Sequence, residues 1–305
     1  MTHQPGPMLF ARQRRLLALL EALGGAAGNL DFQKLLFLYC QEAGPSAGYE
    51  FVPYRFGAFS FTSYADRRRL VQRGLIEADE QAWRLTSAGR QAVEGHRELV
   101  ITLQDFARKC QGQRGNALVA ETYRRFPYYG TRSEIADEVL RDDPAALRRI
   151  ESARPARGTP GIATIGYEGR SLEGYLNELL AAGVTLLCDV RRNPLSRKYG
   201  FSKGTLSKGC EGIGITYEHL PELGIASEQR RNLETQADYD RLFREYERET
   251  LPNQLPALQR IRDWVSQEKR VALTCYERLP AQCHRHCVAE SLEEQFGTAF
   301  AATHL

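Results

Sequence analysis

Val184-Thr-Leu-Leu-Cys-Asp-Val190 is a seven-residue, mostly apolar run, and Arg191-Arg192-Asn193-Pro194 ends it. A short apolar run closed by turn-forming residues reads as a strand buried on both faces. The same reading extends in both directions. Upstream, Gly161-Ile-Ala-Thr-Ile-Gly166 is a second β-prone run. Ser171 to Ala182 then predicts an amphipathic helix, with Leu172, Tyr175, Leu176, Leu179 and Leu180 inward. Downstream, Leu206 to Glu211 predicts a helix and Ile215 to Leu220 a strand. Tyr239 to Arg248 and Leu255 to Glu268 predict helices, Val271-Ala-Leu-Thr-Cys275 a last buried strand, and Cys283 to Glu294 a last helix. Strands alternating with helices imply a parallel sheet covered on both faces. The expected class is α/β: a three-layer C-terminal domain with a parallel sheet.

In such sheets ligands bind past the carboxyl ends of the strands. Tyr167, Glu168 and Arg170 follow the first strand. Asp189, Arg191, Arg192, Asn193, Arg197 and Lys198 close or follow the second, and His219 and Glu222 lie past the third. Tyr276, Glu277 and Arg278 follow the fourth, before Cys283, His284 and Arg285. The ionisable residues therefore collect at one edge.

Several separated stretches in this half resemble the DUF488 family. They are Thr164-Ile-Gly-Tyr-Glu-Gly169, Cys188-Asp-Val-Arg-Arg-Asn-Pro194, Ser196-Arg-Lys198, Gly200-Phe-Ser202, His219-Leu-Pro-Glu-Leu-Gly224, and Cys275-Tyr-Glu-Arg278 with Cys283-His-Arg285. They run in order through residues 161–292. The resemblance implies that the family's polar positions correspond here to Asp189, Arg191, Cys275, Glu277, Cys283, His284 and Arg285. It identifies the domain and leaves the reaction open.

The residues suggest their own chemistry. Arg191, Arg197, Lys198 and Arg285, with the amides at helix starts near Ser171 and Cys283, would attract an anion such as phosphate. Asp189 and Glu277 are candidate acid/base carboxylates, and His284 is a candidate proton-transfer imidazole. Cys283 at a helix start beside His284 and Arg285 is where a thiolate would be stabilised. Tyr167, Glu168, Cys275 and Tyr276 are further candidate pocket residues. The competing reading makes the same ions a structural network, with Asp189 and Arg191 tied to Glu277 and Arg285.

The seven cysteines are an odd number and call for no disulfide framework in a reducing compartment. No cofactor is expected. Zinc on Cys275, Cys283, His286 and Cys287 is a weaker alternative, because their spacing does not form two separated ligand pairs. A Cys275–Cys283 disulfide is weaker still. A cysteine-nucleophile phosphatase would need a loop of backbone amides after the cysteine, and Cys283-His-Arg-His-Cys287 contains no glycine.

The preceding half has another character. Residues 1–158 carry 23 Lys/Arg against 18 Asp/Glu, a net of +5, while 159–305 carry 18 against 20, a net of −2. The basic excess favours an acidic partner for the first half. Arg12 to Leu23 predicts a helix stopped by Gly24 and Gly25, and Asp31 caps an expected second helix, Phe32 to Ala43. Tyr49 to Phe61 is aromatic and β-prone. Ser63 to Gly74 predicts a third helix, and a hairpin from Leu75 to Leu85 precedes Ser87-Ala-Gly-Arg-Gln-Ala-Val93. This order resembles the end of a winged helix-turn-helix domain, in which one helix enters the major groove and the hairpin rests on phosphates. Arg67, Arg68, Arg69, Arg73 and Arg84 are then the expected nucleic-acid contacts. Lys34-Leu-Leu-Phe-Leu-Tyr39 with Arg55-Phe-Gly-Ala58 also resembles small antitoxin-like domains, so a protein-docking role stays open. Residues 97–150 look helical, with Ser133 capping Glu134 to Arg141. Tyr123-Arg-Arg-Phe-Pro-Tyr-Tyr-Gly130 is either a base-stacking stretch or a packed corner.

The expected division is a winged-helix-like domain over 1–95, a helical extension and linker over 96–158, and the α/β domain over 159–305. The expected function is nucleic-acid binding with processing at a nucleotide, by cleavage of a phosphodiester or N-glycosidic bond. The alternative is a DNA-binding regulator whose α/β domain senses a phosphorylated small molecule. DNA is favoured over RNA, a homodimer is a further expectation, and no membrane partner is expected. A cytoplasmic location is expected because no secretory signal is visible near Met1 and no run is long and apolar enough to span a bilayer.

Overall fold

The computed structural model describes residues 9–44, 48–230 and 233–305. The chain divides into two compact units, Met1–Arg154 and Pro155–Leu305.

In the first unit, α1 (Ala11–Ala22), β1 (Ala26–Gly28) and α2 (Asn29–Ala43) lead to a hairpin of β2 (Val52–Tyr54) and β3 (Gly57–Phe59). Then come α3 (Phe61–Gln72), a second hairpin of β4 (Ile76–Ala78) and β5 (Ala82–Leu85), and α4 (Ser87–Glu94). The strands β1, β5 and β4 form an antiparallel sheet in that order. Local sequence sets the helix starts. Ser60 Oγ accepts from the Ser63 amide to cap α3, and Thr86 Oγ1 accepts from the Gly89 amide to cap α4. Asp31 does not act as the expected cap, because α2 starts two residues earlier at Asn29. Its carboxylate instead accepts from the Gly115 amide at 2.7 Å, at the start of the later helix Gly115–Arg125. The remaining helices are α5 (Arg97–Lys109), α6 (Gly115–Arg125), α7 (Ala136–Val139) and α8 (Pro144–Ser152). Ser133 accepts from Tyr123 Oη and the Ile135 amide, and the predicted helix after it shrinks to the single turn of α7. Trp83 is fully buried, with its ring centroid 4.3 Å from that of Phe32 and the two rings tilted by 34°. Beside the apolar core lies a buried polar knot. Asp66 accepts from Arg12 Nε at 2.6 Å, Gln13 Nε2 at 2.9 Å and Tyr49 Oη at 3.0 Å.

The second unit runs β6 (Gly161–Gly166), α9 (Leu172–Ala181), β7 (Leu186–Asp189), α10 (Lys203–Gly212), β8 (Thr216–His219) and α11 (Gln236–Glu245). It continues with α12 (Leu255–Ser266), β9 (Arg270–Cys275), α13 (Arg285–Phe296) and β10 (Ala302–His304). The five strands are parallel, in the order β10-β6-β9-β7-β8. The strand period of two sends alternate residues to opposite faces. Val271, Leu273 and Cys275 join one core with residues of α12 and α13. Thr274 faces the other way and accepts a hydrogen bond from Tyr175 of α9 at 2.7 Å. The edge strand β10 was not anticipated: Ala302-Thr-His304 is short and lacks an apolar run. Its pairing with Ile162, Ala163 and Thr164 supplies what local sequence does not. No helix among the described residues is long and apolar enough to cross a membrane.

Two glycines bring the strand-end loops together. A Cβ on Gly166 would lie 1.9 Å from the Glu277 carbonyl oxygen. One on Gly224 would lie 2.0 Å from the Arg192 backbone nitrogen. Neither approach tolerates a side chain.

Candidate functional site

The carboxyl ends of β6, β7 and β9 carry the predicted polar residues, and the structure sorts them into two groups. One group is buried and internally satisfied. Asp189, the last residue of β7, is fully buried and grips Arg191 two residues on, with Arg191 Nε 2.8 Å from Oδ1. The other guanidinium nitrogens reach Asp189 Oδ2, Tyr167 Oη at 2.8 Å and the Phe201 carbonyl at 2.9 Å. Tyr217 Oη also donates to Asp189 Oδ2, at 2.7 Å. Burial works against the Arg191 charge, but the Asp189 hydrogen bonds and charge outweigh it, and its pKa is raised. Burial and then the Asp189 carboxylate hold the Tyr217 phenol well up. Tyr167 stacks flat on Phe201 at 4.3 Å and carries Arg191 over its ring. Asp189 is thus the anchor of Arg191, with its oxygens committed to protein donors.

Arg285 departs furthest from expectation. It is 0% exposed and donates to the Glu277 carbonyl, to the Arg278 carbonyl at 2.9 Å and to Thr164 Oγ1 at 3.4 Å. An arginine can be buried when its donors meet acceptors in this way. It ties the loop after β9 to β6 and does not line the pocket described below. Glu277 is also occupied: one oxygen meets Arg230 and the other lies 3.5 Å from Cys275 Sγ. Glu168 accepts from the Arg278 amide at 3.0 Å.

The expected thiolate at Cys283 is not what the site provides. Helix α13 begins at Arg285, with His284 in the capping position, so Cys283 lies before the first turn. Burial, and then the hydrogen bond with Cys275, push its thiol well above the ordinary range, and the pull of His284 does not offset them. The alternative zinc set is also split. Cys275 and Cys283 group with His284, whereas His286 and Cys287 group with Glu247.

The second group is open. A pocket of about 590 Å³ is lined by Arg191, Arg192, Asn193, Leu195, Ser196, Arg197 and Lys198 from the loop after β7, with Tyr167, Ile225, Arg230 and Tyr276. No carboxylate is among these residues. Arg197 is exposed, and half-buried Lys198 donates to the Tyr167 carbonyl at 3.0 Å. Burial lowers the Lys198 pKa. Tyr276 stands at the edge with 43% of its surface exposed. The helix starts expected to contribute amides are absent from this lining. Ser171 Oγ instead caps α9 by accepting from the Gly174 amide at 2.9 Å. Arg230 was missed, because nothing in Ser-Glu-Gln-Arg230 separates it from an ordinary surface arginine.

In the first unit, the five named arginines lie on and around α3 and the β4–β5 hairpin. Arg67 lies over Tyr64 and Trp83 and donates to the Asp79 carbonyl. Arg69 lies 3.9 Å from Asp66, and Arg84 pairs with Asp79 at 2.6 Å. Hydrogen bonds from Arg84 and then from the Ala82 and Gln81 amides hold the Asp79 carboxyl down at about 2. Arg68 is exposed and Arg73 half-buried.

A search of curated proteins gives no match to the chain. The model of the family described as Domain of unknown function DUF488 matches residues 171–292, from the cap of α9 into α13. That span holds the Asp189–Arg191 anchor, the basic loop after β7 and the Cys275-to-Arg285 segment, and the C-terminal part of this chain is therefore a DUF488 domain.

Proposed function

We propose that this chain is a nucleic-acid-binding protein whose C-terminal pocket receives a nucleotide through its phosphate. One observation carries the reading: among the described residues, the open pocket at the strand ends is lined by four arginines and a lysine, with aromatic rings beside them and no carboxylate. Asp189 and Glu277 already balance Arg191 and Arg230, which leaves Arg192, Arg197 and Lys198 to attract an anion. The exposed Tyr276 ring supports stacking of a base next to that phosphate. The first unit fits a winged-helix module: its helices and its β1-β5-β4 sheet come in the order such a module needs, with β4–β5 as the wing. Arg67, Arg68, Arg69, Arg73 and Arg84, on α3, after it and on the β4–β5 hairpin, are its proposed phosphate contacts, with DNA favoured over RNA.

Processing of the bound nucleotide, by phosphodiester or N-glycosidic cleavage, is the proposed activity class. It finds less support than binding does, because both expected acid/base carboxylates are held by arginines.

The test titrates the full chain with labelled single- and double-stranded DNA and RNA, and follows strand integrity in the same tubes. The expected result is binding that weakens steeply as salt rises. It should weaken further in an Arg197→Ala/Lys198→Ala double variant. Salt-independent binding, or wild-type affinity in that variant, would sink the phosphate reading. Intact strands together with tighter binding of a free phosphorylated nucleotide than of any strand would replace processing with sensing.

A further inference from the structure

Beside the basic pocket, three buried candidate metal ligands converge. Cys275 ends β9, Cys283 follows a helical turn at Pro280–Gln282, and His284 caps α13. All three are buried, and their ligand atoms lie within 4.8 Å of one another. The Cys275 Sγ to His284 Nδ1 distance is 3.7 Å. A tetrahedral zinc with bonds of about 2.3 Å to sulfur and 2.0 Å to nitrogen would set its sulfur and nitrogen ligands about 3.6 Å apart. The histidine is oriented as a ligand would be. Its Nε2 lies 3.0 Å from the Val190 carbonyl, which can only accept, so Nε2 holds the hydrogen and Nδ1 turns its lone pair towards the sulfurs. The Glu277 carboxylate lies 3.5 Å from Cys275 Sγ on one side and meets Arg230 on the other.

We propose that Cys275, Cys283 and His284 form a three-ligand site for a soft divalent metal of the zinc class, with Glu277, 3.5 Å from Cys275 Sγ but outside that group of three, as the neighbouring carboxylate. The charges balance: two thiolates neutralise the dication, and Arg230 neutralises Glu277. A neutral assembly is the condition for burying such a site. On binding, the two thiols release their protons to solvent and two metal–sulfur bonds form, with no change in oxidation state. The metal then fixes the end of β9 to the start of α13. The adjacent pair His286–Cys287 is excluded from this set, since it faces Glu247. This site stands whether or not the pocket binds nucleotides.

The test uses the full chain, purified under reducing conditions, stripped of metal and titrated with Zn²⁺ against a chromophoric chelator. A parallel sample is loaded with Co²⁺ and its absorption recorded. The expected result is one metal per chain and a near-ultraviolet thiolate-to-cobalt charge-transfer band. Both should be lost in Cys283→Ser and His284→Gln and kept in Cys287→Ser. Absence of stoichiometric metal would overturn the proposal. So would a cobalt spectrum without the thiolate band, or loss of binding in Cys287→Ser with retention in Cys283→Ser. If the ligand variants do not fold, as judged by circular dichroism, the wild-type cobalt spectrum alone decides between these outcomes.

Discussion

Lys34 in the first unit and Arg191 in the second are both buried cations, and the surroundings move them in opposite directions. Lys34 has burial against it and a hydrogen bond from Nζ to the Ala58 carbonyl at 2.9 Å, and its pKa falls to about 7. Arg191 is buried too, yet a carboxylate, a phenol and a carbonyl surround it, and its pKa rises. Burial alone therefore does not decide whether a cation stays charged; the partner set does. Arg192, Arg197 and Lys198 are the third case, cations on the same loop as Arg191 that line an open pocket. Arg192, the residue directly after the positioning Arg191, is already exposed.

The largest effect is expected where the partner set is broken. Asp189→Ala leaves Arg191 buried without its carboxylate, and removing one partner of a buried pair costs about 3–5 kcal/mol. Hydrogen exchange at β7 and β9 in denaturant should report that loss in the second unit. Wild-type protection there would mean that Arg191 needs no anchor.

Lys34 should make the first unit pH-sensitive. The unfolded chain keeps this lysine protonated up to its ordinary value of 10.5, whereas the folded unit releases the proton near 7. The unfolded state then binds more protons in between, so stability rises with pH, by at most about 1.4 kcal/mol per unit. This contribution is full above the ordinary lysine value and is lost progressively as the pH falls to about 7. Urea unfolding between pH 7 and 9 should show the rise, and Lys34→Met should flatten it. An equal slope in the variant would assign the effect to another group.

Tyr276→Ala tests the exposed side of the comparison. Base stacking is worth about 1–3 kcal/mol per base, so affinity for a strand should drop by that amount while stability is kept. A change in stability without a change in affinity would make Tyr276 a packing residue. The smallest structural effect is expected for Arg197→Ala/Lys198→Ala, within about 0.5 kcal/mol of wild-type stability. The slope of log affinity against log salt should fall by about 2, one for each phosphate contact removed. An unchanged slope would place the phosphate elsewhere.

The β/α alternation of the second unit was legible because the periods of apolar residues differ between strand and helix. That alternation, with the rule for strand carboxyl ends, also placed Tyr167, Asp189, Arg191, Lys198, Tyr276 and Glu277 at one edge. Even the Asp189–Arg191 pair follows local rules, since residues two apart on an extended chain share a face. Depth was not legible. Arg285 and Arg197 look equivalent as text, yet one is fully enclosed and the other exposed. Burial is set by what packs on top, and for Arg285 that is the loop after β9 meeting Thr164 of β6, 121 residues away in the chain. The ligand grouping failed for the same reason. Cys287 and His286 are near Cys283 in sequence, but α13 starts only at Arg285 and carries them towards Glu247.

By itself the sequence determined the alternating elements, the parallel sheet, the edge at which charge gathers and the basic bias of the first half, because each follows from local periodicity and composition. Only the tertiary structure decided which of those charges are enclosed and which line the pocket. It also decided that Arg230 joins them, that β10 completes the sheet, and that Cys275, Cys283 and His284 meet. These outcomes depend on contacts between segments far apart in the chain, where close packing leaves room for one arrangement and local sequence carries no record of the partner.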